Sequence, residues 1–261
     1  MDSGHRLPDR GTAIVTGARR GIGAAAAAAL ASAGFTVVIV DLVADEAAEA
    51  TVAKIKAEGG RVSFLRADVG DLDEHPRIVE AAKRFGPISC LVNNAGVNVP
   101  VRGDMLETTP EVLDAVVGVN LRGTFFLTQA VAREMVADPV PSTPRSVIVV
   151  SSANAAMVSP EKAAYCLSKS ALSMLTALFA ARLADNGIDV FEVRPGLIKT
   201  EMSRKVWDSY GDAIKSGVSL TRRWGESEDV GQVIGALASG ALPFCTGTVV
   251  PVGGGLHVHR L

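Results

Sequence analysis

Tyr165 and Lys169 stand four residues apart in AYCLSKSAL, a spacing that puts both side chains on one face of a helix. A free tyrosine ionises near pH 10 and exchanges protons poorly at neutrality; a neighbouring ammonium favours the phenolate. Such a pair suits general acid–base work at one oxygen. A second constellation is TGARRGIG, Thr16 to Gly23, between a β-branched apolar run and an alanine-rich one. Gly17, Gly21 and Gly23 permit a tight turn and close approach of backbone N–H groups to a pyrophosphate at a helix N-terminus. Arg19, Arg20 and Ile22 belong to the same loop. Asp41 follows about 20 residues later, where a carboxylate accepts hydrogen bonds from an adenosine ribose. It would repel a 2′-phosphate, which favours NAD(H); Arg19 and Arg20 can pair with a phosphate and leave NADP(H) open, or form a solvated basic pair.

These groups need a frame, and the apolar pattern supplies one. Strand-like runs fall at Thr12–Thr16, Thr36–Asp41, Arg61–Arg66, Ile88–Val92, Ser146–Ser151, Ile188–Arg194 and Thr248–Val252. Between them lie helical stretches at Gly21–Ala33, Asp45–Glu58, Asp71–Phe85, Ala163–Ala184 and Glu226–Ser239. Pro110–Val136 holds either one helix that breaks near Asn120 or two in succession. The strands are continuous apolar runs, as a sheet covered on both faces requires. Alternation with short connections predicts one α/β domain over residues 1–261: a Rossmann-like, doubly wound parallel sheet of about seven strands. Gly21 to Val40 carries no charge over twenty residues, yet the change from alanine-rich to β-branched at Ala33-Gly34 reads as buried helix, stop and strand, not a membrane span. Asp138–Pro144 (DPVPSTP) reads as a loop.

Composition narrows the function. Of 261 residues 48% are hydrophobic and the net charge is −2, so neither long disorder nor phosphate-backbone binding to nucleic acid is expected. Cys90, Cys166 and Cys245 are few and widely spaced, which fits a reducing, cytoplasmic setting and neither a disulfide framework nor a zinc site. MDSGHRLPDR does not read as a signal peptide. His257 and His259 alternate without a nearby carboxylate or cysteine, so no metal site is expected. Cys166 points about a quarter-turn from Tyr165 and reads as a packed thiol.

The chain resembles the short-chain dehydrogenases/reductases. The resemblance rests on TGARRGIG, on Asp68-Val69 after the third strand, on Asn93-Asn94-Ala95-Gly96 after the fourth, and on Ser152, Tyr165 and Lys169 at the family's spacing with Asn120 in VNLRGTFF. It covers about Thr12 to Gly255. It implies a tetrad: Tyr165 handles the proton on the carbinol oxygen, Ser152 hydrogen-bonds that oxygen, Lys169 binds the nicotinamide ribose and tunes Tyr165, and Asn120 positions a relay water. The family spacing selects Ser152 over Ser151. It further implies an adenine contact at Asp68 and Val69, cofactor contacts at Asn94, Ala95 and Gly96, a nicotinamide-facing turn at Pro195-Gly196, and carboxamide contacts at Ile198 and Thr200. Thr246-Gly247 fits the usual entry to the last strand.

Within the family the chain looks most like the branch of 3-oxoacyl-(acyl-carrier-protein) reductases. It departs at three places. Those enzymes usually prefer NADPH, against Asp41; the turn Asp185-Asn186-Gly187 lacks their basic residue; and Val252-Gly253-Gly254-Gly255 replaces an Asp-Gly-Gly turn. The implied activity interconverts a secondary alcohol and a ketone on a small-molecule substrate. The rivals are a non-catalytic dinucleotide sensor, which would be free to lose the tetrad, and a lyase or epimerase, for which too few residues follow Thr200. Family members commonly form tetramers or dimers through the helices around Asn120–Val136 and Ala163–Ala184; the stretch Ala177–Ala184 suits close helix approach or burial on the sheet. The loops Val97–Thr109, Ala153–Ala163 and Glu201–Trp224 should shape the pocket, the last as a lid bearing Trp207, Tyr210 and Ile214.

Overall fold

The computed structural model describes residues 9–139 and 143–259. The first eight residues of the polar N-terminal stretch and the middle of the proline-rich Asp138–Pro144 stretch lie outside them. Seven strands form one sheet: β1 (Thr12–Thr16), β2 (Thr36–Asp41), β3 (Arg61–Arg66), β4 (Ile88–Asn93), β5 (Arg145–Val150), β6 (Ile188–Pro195) and β7 (Val249–Val252). Their order is β3-β2-β1-β4-β5-β6-β7, and every pairing is parallel. Each predicted strand is present, with ends within about one residue of the sequence reading.

Side chains along each central strand go alternately to two cores, which is why the strands read as unbroken apolar runs. Ala13, Val15, Val37, Ile39, Val92 and Ile148 face one side, packed under α1 (Gly21–Ser32) and α8 (Ser227–Ala238). Ile14, Val38, Val40, Leu91, Val147 and Val149 face the other, under α3 (His75–Lys83), α5 (Thr124–Ala137) and α6 (Ala163–Leu183). The uncharged stretch from Gly21 to Val40 divides into α1 and β2 as expected. Two continuous helical stretches, Pro110–Ala137 and Pro160–Asn186, are long and apolar enough to span a bilayer, but each is partly buried inside the protein. Within Ala177–Ala184, Ala180 goes into the core and Leu178 stays exposed, so this stretch serves the sheet on one side only.

Two of the expected helices are remodelled. The region from Asp71 opens as a short 3-10 turn, Leu72–Glu74, before α3 begins with Pro76 in its first turn. The Pro110–Val136 region is one continuous rod with a defect: α4 (Pro110–Val117) passes through a π-helical turn, Gly118–Gly123, into α5. The remaining helices are α2 (Glu46–Ala57) and α7 (Trp207–Lys215).

The chain winds from β1 outward to β3, then crosses back to β4 and winds the other way. The connections after β1 and β4 therefore diverge at the carboxyl end of adjacent strands, opening a crevice there.

Candidate active site

The crevice is a cleft of about 790 Å³, lined by residues from the glycine loop to the 200–224 excursion. At one end lies the loop after β1. Gly17 has a φ of 63°, and a side chain on it would meet the Ala95 Cα at 2.8 Å. A Cβ on Gly23 would sit 2.3 Å from the Gly17 carbonyl oxygen. The loop is thus folded tightly on itself and on the turn after β4. Thr16 and Asn94 stitch those two turns together: the Thr16 hydroxyl accepts the N–H groups of Asn94 (3.1 Å) and Ala95 (3.0 Å), and the Asn94 amide donates to the carbonyls of Thr16 and Gly17, both at 2.9 Å. Asn94, Ala95 and Gly96 all line the cleft, as do Gly17, Arg19, Arg20, Gly21, Ile22 and Gly23 of the adjoining loop.

Asp41 closes β2 at the rim of this end and lines the cleft. Arg19 is neither solvated nor free. Its guanidinium pairs with Asp41, Nε to Oδ1 at 3.4 Å, and with the Asp45 carboxylate at the start of α2. Only Arg20 of the basic pair has no carboxylate partner among the described residues. Val69 lines the cleft and Asp68 does not. One Asp68 carboxylate oxygen accepts the Gly70 N–H at 2.8 Å, a local turn.

At the other end Tyr165, Lys169 and Ser152 meet. Tyr165 and Lys169 are 8% and 5% exposed on the first turns of α6, with the Lys169 ammonium 5.8 Å from the tyrosine ring centre. Lys169 Nζ donates to the Val150 carbonyl at 3.0 Å, which ties the helix to the end of β5. Ser152 caps the 3-10 turn Ala153–Ala155, accepting the Asn154 N–H at 3.1 Å, and hydrogen-bonds Tyr165. Ser151 also borders the cleft, but its hydroxyl donates to Glu192, a fully buried carboxylate on β6.

Asn120 lies behind the cleft, not in its lining, at 0% exposure in the π-helical turn. The extra residue of that turn rotates the side chain out of the helical register. Its amide donates to the Val97 carbonyl (2.9 Å) and the Ser168 hydroxyl (3.0 Å) and accepts the Val97 N–H (2.7 Å). A Cβ added to Gly96 would meet both Asn120 Oδ1 (3.0 Å) and Lys169 Nζ (3.4 Å), so the two groups flank one small space.

The electrostatics differ from the simple pair in one respect. Burial lowers the Lys169 ammonium to a pKa of about 8, and Glu192 opposes that shift. Burial raises the Tyr165 hydroxyl, opposed by its hydrogen bond from Ser152. In this structure desolvation outweighs any help from Lys169, because the ammonium lies beside the ring and does not bond the hydroxyl.

The floor is completed by Pro195, Gly196, Ile198 and Thr200, all in the lining. The unusual glycine turn after β7 packs straight onto them: a Cβ on Gly196 would be 2.6 Å from the Gly253 Cα. The segment expected as a lid leaves and returns at one bridge, Ile198 to Gly225, and is tied to the turn after β7 where the Thr221 N–H donates to the Gly254 carbonyl at 2.8 Å. Within it Tyr210 lines the cleft, Ile214 packs inward, and the Trp207 indole donates to Ser203 Oγ at 3.0 Å. Sequence reading missed Thr16 as the stitch between loops, and also Glu192, Arg102 and Lys162. Thr16 was visible as the first residue of TGARRGIG, and Arg102 and Lys162 lie in loops expected to shape the pocket; Glu192 carries no local signal. Among the described residues no cluster of three or more His, Cys, Asp or Glu side chains could hold a metal.

A family model described as enoyl-(acyl carrier protein) reductase matches residues 17–257. The chain belongs to the short-chain dehydrogenase/reductase family of oxidoreductases. It is 35% identical to versicolorin reductase 1 of Aspergillus parasiticus over 98% of this chain and 99% of that one. The crystal structure of 3-oxoacyl-[acyl-carrier protein] reductase from Brucella melitensis in complex with NAD superposes with a TM-score of 0.93 at 43% identity, covering 97% of this chain and 100% of that one. A gluconate 5-dehydrogenase from Burkholderia cenocepacia, in complex with NADP and tartrate, gives 0.87 at 31%, covering 98% of each. Known structures of this fold therefore hold either nicotinamide dinucleotide.

Proposed function

We propose that this chain is an NAD(H)-favouring oxidoreductase that interconverts a secondary alcohol and a ketone, with residues 1–261 acting as a single dinucleotide-binding domain. The observation that carries the reading is the convergence of Tyr165, Lys169 and Ser152 at one end of a cleft whose other end is the glycine loop. The residues fit a nicotinamide dinucleotide: backbone at Gly17 to Gly23 for the pyrophosphate, Asp41 for the adenosine ribose, Val69 beside the adenine, and Asn94 to Gly96, Pro195, Gly196, Ile198 and Thr200 along the nicotinamide half. When bound, that cofactor supplies or accepts the hydride.

The chain's own residues do the rest. Tyr165 holds the proton exchanged with the substrate oxygen, and Ser152 hydrogen-bonds the same oxygen. Raised by burial, Tyr165 stays protonated at neutral pH and suits donation during carbonyl reduction. Lys169 supplies positive charge beside it and reaches the cofactor ribose. Asn120, tied to Val97 and Ser168, holds the end of a proton path next to Lys169. Selection of NAD(H) follows from Asp41 and the Arg19 pairing: a 2′-phosphate would meet the Asp41 carboxylate and an Arg19 already matched by Asp41 and Asp45, leaving only Arg20 of the loop to receive it.

A second reading, 3-oxoacyl-(acyl-carrier-protein) reductase, is favoured by the 43% identical Brucella melitensis structure. Exposed Phe126, Leu167, Met174 and Leu178 on α5 and α6 support a homo-oligomer, testable by light scattering. Three free cysteines suit the cytoplasm. The deciding experiment measures NADH and NADPH oxidation side by side against ketones, keto-sugars, steroids and an acetoacetyl thioester. The expected result is turnover with NADH preferred at least about tenfold, or 1.4 kcal/mol. An NADPH preference overturns the cofactor assignment. Silence throughout with NADH still binding favours a dinucleotide sensor.

A further inference from the structure

Seven charged side chains line the cleft: Arg19, Arg20, Asp41, Arg102, Lys162, Lys169 and Glu201. Four are ion-paired: Arg19 with Asp41, Arg102 with Glu161 at 2.8 Å, and Glu201 with Arg204 at 3.6 Å. Three cations have no carboxylate in ion-pair range among the described residues. Of these, Arg20 belongs to the glycine loop and Lys169 to the proton site. Lys162 is left over. It is partly buried, and its ammonium stands 5.3 Å from the ring centre of Tyr165, on the substrate side of the cleft with Arg102.

That placement is electrostatically costly. Burial lowers the Lys162 pKa, the Arg102 guanidinium lowers it further, and only Glu161 and Cys166 oppose. Lys162 is also the N-cap residue of α6, where a cation adds to the positive end of the helix dipole. The position is nonetheless held firmly. The Gly103 N–H donates to the Glu161 carbonyl at 3.1 Å, which joins the loop after β4 to the turn before α6 and presents both cations together. No ion pair among the described residues balances Lys162; a bound anion would.

We infer that Lys162, with Arg102 beside it, forms an anion subsite, so that the substrate carries a carboxylate or phosphate a few carbons from its reacting carbonyl. The inference rests on the oxidoreductase reading of the same cleft. Proximity to the Tyr165 ring sets the spacing: an anion seated on Lys162 lies close to a carbonyl whose oxygen meets the Tyr165 hydroxyl.

The test uses straight-chain oxo carboxylates with the carbonyl at positions 2 to 5, each beside its methyl ester, and dihydroxyacetone phosphate beside dihydroxyacetone. Turnover with NADH and calorimetric binding, with and without NADH, are measured for wild type, Lys162→Gln and Arg102→Gln. The expected result is at least about a tenfold preference in kcat/KM and Kd for one anionic series over its neutral partners, with the better series naming the anion. Lys162→Gln should collapse that preference to within about twofold, and Arg102→Gln should reduce it partly. Anions binding no better than their neutral partners overturn the inference. So does a Lys162→Gln variant that loses the same factor on both, since Lys162 would then act only on Tyr165. Failure of the oxidoreductase reading looks different: no NADH turnover, with anion binding still legible by calorimetry.

Discussion

The two ends of the cleft are built to different rules. At the glycine-loop end, backbone is packed against backbone and the charges are largely matched within the protein. Gly23 has no room for a methyl group, Thr16 and Asn94 spend their hydrogen bonds joining two turns, and Arg19 is clasped by two carboxylates. At the substrate end the walls are loops, the 200–224 excursion is anchored at the Ile198–Gly225 bridge and again where the Thr221 N–H donates to the Gly254 carbonyl, and Lys162 stands over a ring with no carboxylate in ion-pair range among the described residues. A site for one constant ligand can be rigid and pre-paired. A site that selects among substrates leaves its recognition groups unspent until the substrate arrives.

Glycine substitutions should expose this contrast most sharply. Gly23→Ala forces a methyl into the Gly17 carbonyl and should weaken NADH binding about 100-fold, or 2.7 kcal/mol, read by fluorescence titration. Gly211→Ala, in the lid helix α7 with nothing within 4 Å, should keep NADH affinity and raise Tm slightly. Equal losses at the two positions would erase the distinction.

Charge changes come next. Asp41→Ser removes one of the carboxylates holding Arg19 and should raise the NADPH/NADH ratio of kcat/KM at least about tenfold. An unchanged ratio would mean that Arg19 and Asp41 do not govern the choice.

A smaller effect is expected from pH. Lys169 ionises at about 8, so its positive charge is complete below that value and lost above it. Carbonyl reduction should be level below pH 8 and fall as pH rises through it. Glu192 raises the Lys169 pKa, so Glu192→Gln should move the break downward, and Glu192→Asp should keep more of it. The sign for folding runs the other way. Lys169 is held below its unfolded value of 10.5, so the unfolded chain binds more protons between pH 8 and 10.5, and this group's cost to stability eases across that window.

The cofactor end was readable in the sequence for the reason it is rigid. Turns that tolerate only glycine at fixed positions, and a carboxylate at a strand end, leave local marks such as TGARRGIG and Asp41. The strands were readable because each is buried on both faces. The break near Asn120 was visible as an ambiguity, but that a π-helical turn resolves it depends on contacts to Val97 and Ser168, which are distant in sequence. Asp68 shows another limit: its position matched a motif, but the local bond its carboxylate accepts from the Gly70 N–H is visible only in the fold. Lys162 and Arg102 are far apart in the chain and meet only through folded loops. Glu192 was hidden in an apolar run, where its burial beside Ser151 and Arg194 is a tertiary fact.

The proton role of Tyr165 is tested most directly by Tyr165→Phe, measured for NADH affinity and turnover in one preparation. The substitution keeps the ring and removes the hydroxyl. The predicted result is a fall in kcat of about 10²–10⁴-fold with NADH affinity within about twofold of wild type. Turnover that survives intact would contradict it, because the proton would then pass through some other group.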